Sequence, residues 1–320
     1  MNDSQDKLLV IKLGALGDFI QALGPMAAIR KHHPKAHITI LTTKPFESFA
    51  NDCGYFNEIW LDDRPKLWDI KSWIQLHKKL NNGDFDRVYD LQNNDRTNFY
   101  FKLFKNKPEW SGIAKGASHR NTADDRSIGH AFDGHVQTLA MTGITDIKPD
   151  PLIWLVEDIK HFAMEKPYIL LVPGCAPNRP EKRWPSQKYG RLANMLVQRG
   201  FQPVIIGTKA EADATKIIAT TCPQALDLTG QTNLKHIATL ARQSAGAIGN
   251  DTGPMHLIGS TGTPCLVLFS EHSNPIKHAP KGDQVSVLQE NDLKDLKSED
   301  VLNAFHPREE PTKTNESLLH

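Results

Sequence analysis

Short, almost continuously apolar runs separated by longer stretches of helical periodicity constrain this chain more than any other feature. The runs fall at 8–13, 37–41, 58–61, 87–91, 168–172, 203–206, 245–248 and 265–269. Strands that are apolar on both faces belong in parallel sheets, which bury both faces. Helical segments lie between them, for example 186–199, 210–220 and 234–242. That alternation predicts an α/β fold built from parallel sheets. A length of 320 residues suits two domains better than one.

The rhythm weakens once, over 149–167. Pro149, Asp150 and Pro151 open that stretch, and a short helix expected over 158–165 closes it with Pro167. The sequence therefore predicts a first domain over 1–155, a second over 156–305, and a polar, disordered tail over 306–320. A last helix is expected over 298–305, with Ser298 as its N-cap and Glu299 or Asp300 in its first turn. Two doubly wound sheets of this kind, facing one another, bind ligands in the cleft at their strands' carboxyl ends.

Composition narrows the function classes. A net charge of +1 carries none of the basic excess of a nucleic-acid binder. The four cysteines, Cys53, Cys175, Cys222 and Cys265, form no C-x-x-C pair, so they read as buried thiols of a reduced, cytoplasmic protein. The N-terminus lacks the pattern of a secretory signal, and no apolar run approaches the roughly 20 residues that cross a bilayer. Asp84-Phe85-Asp86 has the D-x-D form of some metal sites but reads as a turn entering a strand. His32 and His33 close a helix, where they favour its dipole.

Three segments carry chemistry. In LGALGDFIQALGPMAAIRKHHP, Gly14 and Gly17 form a loop between a strand and a helix. The pattern is not the dinucleotide fingerprint, which disfavours a dehydrogenase. Asp18 is either an N-terminal helix acid or a carboxylate at the strand's end that takes a proton from an attacking hydroxyl, and the two roles are compatible. Pro25 is expected to kink that helix or to begin a second one. In GNDTGPMHLIGSTGTP, Asp251, Thr252, Gly253 and His256 stand where a helix N-terminus meets a phosphate, or form a turn capped by Asp251. In PGCAPNRPEKRWP, Arg179, Lys182 and Arg183 give a cation for a departing diphosphate, or a solvated basic loop. NFYFKLFKNKPEW reads as an amphipathic helix with a core face, or as a contact for lipid headgroups.

Taken together, these three segments resemble glycosyltransferase family 9, the ADP-heptose heptosyltransferases. FDRVYDLQNNDRTN, IGTKAEADA and LTGQTNLKHIATL add weaker matches, and the resemblance spans residues 7–282 in order. It implies a GT-B fold of two Rossmann-like domains facing across a cleft, with the acceptor on the first and the nucleotide sugar on the second. It implies an inverting, metal-independent transfer from ADP-heptose to a lipopolysaccharide core or related anionic glycolipid, with no cofactor. The enzyme would be cytoplasmic, with peripheral contact to the inner membrane. In its terms Asp18 is the general base, Lys182 contacts the donor diphosphate, and Asp251, Thr252, Gly253 and His256 bind the nucleotide sugar. Glu211 resembles the acid on the ribose. Arg96 and Arg120 are candidates for holding an acidic acceptor. Cys175 and Ala176 replace the small hydroxyl residues of many members, and Arg179 adds a cation. The rival readings are a nucleotide-sugar epimerase of similar build and a non-catalytic nucleotide-sugar binder.

Overall fold

The structure is a computed structural model and describes residues 5–124, 128–165, 167–176 and 178–308. Residues 309–320 of the expected tail lie outside it. The chain divides into two units, the first ending at Asp150 and the second beginning at Pro151.

Unit 1 contains β1 (Lys7–Ile11), α1 (Leu16–His32), β2 (His37–Thr42), α2 (Glu47–Asp52), β3 (Glu58–Leu61), α3 (Ile70–Asn82), β4 (Arg87–Asp90), α4 (Asp95–Leu103), β5 (Glu109–Gly112), β6 (His119–Arg120) and α5 (Ala131–Ala140). Its sheet is parallel throughout, in the order β3-β2-β1-β4-β5-β6. Unit 2 contains β7 (Tyr168–Val172), α6 (Ser186–Gln198), β8 (Gln202–Ile205), α7 (Ala212–Thr221), β9 (Leu226–Asp227), α8 (Leu234–Gln243), β10 (Gly246–Asn250), α9 (Gly253–Ser260), β11 (Cys265–Phe269), α10 (Pro275–His278), β12 (Val285–Gln289) and α11 (Ser298–Ala304). Its order, β12-β11-β10-β7-β8-β9, repeats that of unit 1 and is again parallel. In each sheet the order reverses once, between β1 and β4 and between β10 and β7. These are the switch points where doubly wound sheets open a crevice.

The apolar runs became the central strands. Leu8, Leu9, Val10 and Ile11 are at most 2% exposed, and β7, β10 and β11 are buried throughout. Each such Leu, Ile or Val contributes about 1.5–3 kcal/mol by burial. The strands that periodicity missed are the short or peripheral ones. β5 (EWSG), β6 (HR) and β9 (LD) carry little apolar signal, and the edge strand β12 is half-exposed.

Several local expectations are corrected. α1 runs through Pro25 without a second helix starting there. A proline removes only one N–H from the helical ladder. Over 158–165 there is one 3₁₀ turn, Lys160–Phe162, and no α-helix. The N-cap of α11 is Lys297, not Ser298, whose hydroxyl instead donates to the Lys188 carbonyl at 2.9 Å. The division at Asp150 rather than at 155 has a visible cause. The Arg242 guanidinium donates to the Leu152 carbonyl and, at 2.9 Å, to that of Leu155, which attaches this stretch to unit 2. Within the expected tail, Arg308 N–H donates to the Ala245 carbonyl at 2.9 Å and so extends unit 2.

Asp84 lies in the loop between α3 and β4 with φ of +50°, and the Asp86 carboxylate accepts the Lys7 N–H at 2.8 Å. Among the described residues no cluster of His, Cys, Asp or Glu is arranged to hold a metal ion, and no helix is long and apolar enough to cross a membrane. All four cysteines are buried and unpaired.

His33 does not serve the helix dipole as a cation. Its Nε2 lies 2.7 Å from the Tyr89 hydroxyl. Burial, then the charges of His32 and Arg87, lower its pKa to about 4. Between pH 6.5 and 4 the unfolded chain takes up a proton here that the folded chain refuses, so stability falls as pH falls through that window. Replacing His33 with Gln is expected to flatten the decline of the thermal midpoint over that range while leaving the profile above pH 7 unchanged. Superimposable acid limbs for the two proteins would contradict this.

Candidate active site

Both switch points gather polar groups, and most come from residues just beyond strand ends. In unit 1, β1 runs into Lys12, and β4 ends in Asp90. Lys12 is 4% exposed and donates from Nζ to the Leu91 carbonyl at 3.0 Å. Burial lowers its pKa, while the charges of Asp18 and Asp90 act the other way. Asp90 is fully buried and accepts the Gln92 and Asn93 N–H groups at 3.0 Å each. Burial raises its pKa to about 6 against those amides, the Thr97 hydroxyl and Lys12. The Gln92 side-chain oxygen accepts the Leu13 N–H at 2.8 Å and ties the two strand ends together.

Over this floor opens a pocket of about 270 Å³ lined by Lys12, Asp18, Gln92, Asn93, Asn121 and His135 among others. Asp18 occupies the third position of α1, and one of its oxygens accepts the Ala15 N–H at 3.3 Å. It is therefore a first-turn acid and also a pocket residue. Gly14 has φ of +114°, and a Cβ there would lie 2.5 Å from the Phe46 ring, so the turn that delivers Asp18 requires glycine. His135 is 6% exposed, and its Nδ1 has no hydrogen-bond partner. Burial, then Lys12 and His130, hold its pKa well below the usual value, which leaves a neutral imidazole.

Arg96 and Arg120 are not among the residues that line this pocket. Arg96 donates to the Pro65 carbonyl and the Tyr100 hydroxyl, both at 3.3 Å, and lies over the Trp73 ring. Arg120 donates to the Ile113 carbonyl at 3.2 Å. Sequence reasoning missed Lys12, Asp90, Asn121 and His135. The signal for Lys12 was available, since it is the one charge in the apolar run LLVIKL. Asp90 closes β4, Asn121 lies on a loop and His135 on α5, and their approach to Asp18 depends on the fold.

In unit 2, Asn250 ends β10 fully buried. Its side-chain oxygen accepts the Trp184 N–H and the Tyr189 hydroxyl, both at 3.1 Å, and its amide donates to the Pro173 carbonyl at 2.7 Å. One side chain thereby fastens the 173–184 loop to the end of β10. The next residue, Asp251, pairs with Lys182 across the same junction at 2.7 Å, with side chains 7% and 16% exposed. The Ser273 hydroxyl donates to the same Asp251 oxygen at 2.5 Å. A largely buried ion pair of this kind gains little net stability, but it fixes where the ammonium sits.

α9 starts beside this pair. Thr252 is its N-cap, but its hydroxyl makes no capping bond. Pro254 has no N–H, and the Met255 N–H donates to the Thr252 carbonyl at 3.0 Å. The helix thus offers the Gly253 amide and the Thr252 hydroxyl, fewer donors than a helix N-terminus usually has. α9 packs close because Gly249 lacks a side chain, since a Cβ there would meet the Met255 sulfur at 2.6 Å. His256 lies within α9 and is 7% exposed.

Glu211 lies at the ends of β7 and β8, with its side chain against Gly174 and Gly207. One of its oxygens accepts the Thr208 N–H at 2.8 Å and the Thr208 hydroxyl at 2.6 Å. Arg179 is neutralised by Glu181 and donates to the His272 carbonyl at 2.9 Å. Cys175 is buried, which raises its pKa and keeps it a thiol. The structure thus brings Lys182, Asp251, Thr252 and Gly253 together, with Glu211 beside the neighbouring strand ends.

Comparisons with known proteins point to one enzyme family. Residues 150–306 match glycosyltransferase family 9 (heptosyltransferase). The lipopolysaccharide core heptosyltransferase OpsX of Haemophilus influenzae is 25% identical over 314 residues, covering 92% of this chain and 88% of that one. Among solved structures, a family 9 glycosyl transferase from Veillonella parvula superposes with a TM-score of 0.77 at 22% identity, covering 95% of this chain and 97% of that one. The Escherichia coli heptosyltransferase WaaC with ADP gives 0.74 at 15% identity, covering 93% and 98%. The two Rossmann-like α/β units are those of the GT-B fold.

The weight carried by Asn250 is open to direct measurement. Asn250→Ala leaves the Trp184 N–H and the Pro173 carbonyl buried without partners, at a cost of about 1–3 kcal/mol for each group left unsatisfied. Chemical denaturation should show a lower midpoint at unchanged slope. A midpoint equal to that of the parent protein would mean that the two loops hold together without this side chain.

Proposed function

Since the chain is a member of glycosyltransferase family 9 and a glycosyltransferase, we propose that it transfers heptose from ADP-heptose to a lipopolysaccharide core or related anionic glycolipid acceptor. The observation that carries the donor side is the Lys182–Asp251 pair at 2.7 Å, placed at the start of α9 on the switch point of unit 2. The named relatives support the sugar, and the ADP-bound relative supports the nucleotide.

In this reading unit 2 holds the donor. The diphosphate lies on Lys182, the Gly253 amide and the Thr252 hydroxyl. The Asp251 carboxylate is already shared between Lys182 and Ser273. It acts by holding the ammonium in place and does not bind the donor as an anion. Glu211 has one carboxylate oxygen turned to Thr208 and offers the other to the ribose hydroxyls. His256 shapes the floor of the site from within α9.

Unit 1 holds the acceptor in the Lys12–Asp18 pocket. The acceptor hydroxyl oxygen forms a bond to the anomeric carbon as the bond from that carbon to the diphosphate oxygen breaks. ADP leaves with the bonding electrons, and Asp18 takes the hydroxyl proton. Lys182 and the Gly253 amide stabilise the charge that grows on the leaving group. A single displacement of this kind inverts the anomeric centre, and in this reading the positive charge and N–H donors of Lys182 stabilise the leaving group in place of a metal ion. The site of action is the cytoplasmic face of the inner membrane.

Calorimetry of ADP, UDP and GDP in metal-free buffer comes first, followed by transfer from ADP-heptose to a heptose-free core acceptor. ADP should bind in preference to the other two, and Lys182→Ala should lose most of that affinity. UDP or GDP preference would transfer the reading to another sugar donor. Asp18→Asn should bind ADP normally and turn over about 10²–10⁴-fold more slowly. Parent-like turnover in that variant would remove Asp18 from the role of base.

A further inference from the structure

Unit 1 exposes an apolar surface that its own fold leaves uncovered. Leu67 is 87% exposed, Trp68 77%, Ile70 70% and Ile74 49%. Leu67 and Trp68 precede α3, and Ile70 and Ile74 stand one turn apart on its outer face. The inner face already supplies Leu76 and Leu80 to the core. A helix on a water-facing surface carries polar residues at the outer positions. Phe99 of α4, 45% exposed, extends the patch, packed edge-on against Trp73 at 5.1 Å.

The rim of the patch is predominantly basic, with Asp63 and Asp95 as exposed acids near it. Lys66, Lys71 and Lys78 are exposed around it, and Lys102 lies three residues beyond Phe99 on α4. The Lys66 ammonium sits 5.4 Å from the centre of the Trp68 ring. From Arg64 to Asn82 the only acid is Asp69, and it is occupied in capping α3, accepting the Ser72 N–H at 3.1 Å.

We propose that this surface docks unit 1 on a bilayer containing anionic lipids. Trp68, Leu67, Ile70 and Ile74 enter the headgroup boundary, and the surrounding lysines meet the phosphates. Charge decides between this occupant and a second copy of the chain. A two-fold contact sets the same patch against itself, which would bring the lysine rim onto its own image.

The surface is also connected to the Lys12–Asp18 pocket. The Arg64 guanidinium donates to the Leu13 carbonyl, at the start of the loop that leads to Asp18. Arg96 donates to the Pro65 carbonyl from α4. These bonds attach the stretch before the patch to the carboxyl ends of the unit 1 strands, on the pocket's side of the sheet. Docking there sets the pocket beside acceptors anchored in the same lipid. That consequence rests on the glycolipid reading above, whereas the lipid contact does not.

The test is flotation of the full chain with vesicles of phosphatidylcholine alone and of phosphatidylcholine with phosphatidylglycerol. The parent protein should float with the anionic vesicles only, and rising salt should release it. Trp68→Ser combined with Ile70→Ser and Ile74→Ser should weaken that binding about tenfold or more. The three side chains are exposed, so the thermal midpoint and ADP affinity should not change. Lys66→Gln with Lys71→Gln and Lys78→Gln should weaken binding and remove its salt dependence. No flotation of the parent, or equal flotation of the apolar variant, overturns the proposal. So does a parent dimer that the apolar variant dissolves, since the occupant would then be a second copy. Vesicle binding without heptosyl transfer would reject the enzymatic reading and leave the docking surface standing.

Discussion

Parallel strands need cover on both faces, and the rest of this structure follows from that requirement. Helices supply the cover, so the chain must return across the sheet after nearly every strand. The only places where irregular, polar backbone meets the sheet are the strand ends. Lys12, Asp90, Asn250 and Asp251 all lie at or just beyond the ends of β1, β4 and β10. Each sheet reverses its order once, so neighbouring loops diverge at one place and leave room for a ligand. The same order in both units gives two crevices built by the same rule but with different side chains.

The two crevices handle a lysine in opposite ways, which fits the division of labour proposed for them. Lys182 is held by a single carboxylate, Asp251, with Ser273 donating to the same oxygen. An ammonium has three protons, and one carboxylate leaves the others for a phosphate oxygen. Lys12 is buried, with its ammonium on the Leu91 carbonyl and its charge opposed by desolvation. It is placed to bias its neighbours electrostatically rather than to neutralise a dianion. The neutral His135 and the amide side chains around it suit the recognition of hydroxyl groups.

The sequence made legible what repeats or concentrates. The long apolar runs marked the central strands, and NDTGPMH marked the turn into α9, because a proline and a glycine at a helix start leave a strong local trace. β6 and β9 were not legible, since two-residue strands exist only through pairing with a neighbour. The same holds for His135, which reaches the Asp18 pocket from α5, more than a hundred residues along the chain. Arg96 and Arg120 were singled out by charge alone. The first is engaged by Pro65, Tyr100 and Trp73 and the second by Ile113, contacts that no local pattern encodes.

The segment from Arg64 to Ile74 shows how one stretch can serve both core and exterior. Its arginine turns inward to the Leu13 carbonyl, and Pro65 is buried, while Lys66, Leu67 and Trp68 point outward. Asp69 then starts α3, whose inner face joins the core at Leu76 and Leu80. An amphipathic pattern counts apolar residues but does not say which face meets the protein, and only the placed helix shows Ile70 and Ile74 on the outside. With Leu76 and Leu80 already filling the inner face, the outer isoleucines stay largely exposed. Exposing them to water carries a cost that folding alone does not recover. A sequence that keeps Trp68, Ile70 and Ile74 outward and rings them with lysines is therefore organised around something outside the unit, and the charge pattern matches a surface of phosphates.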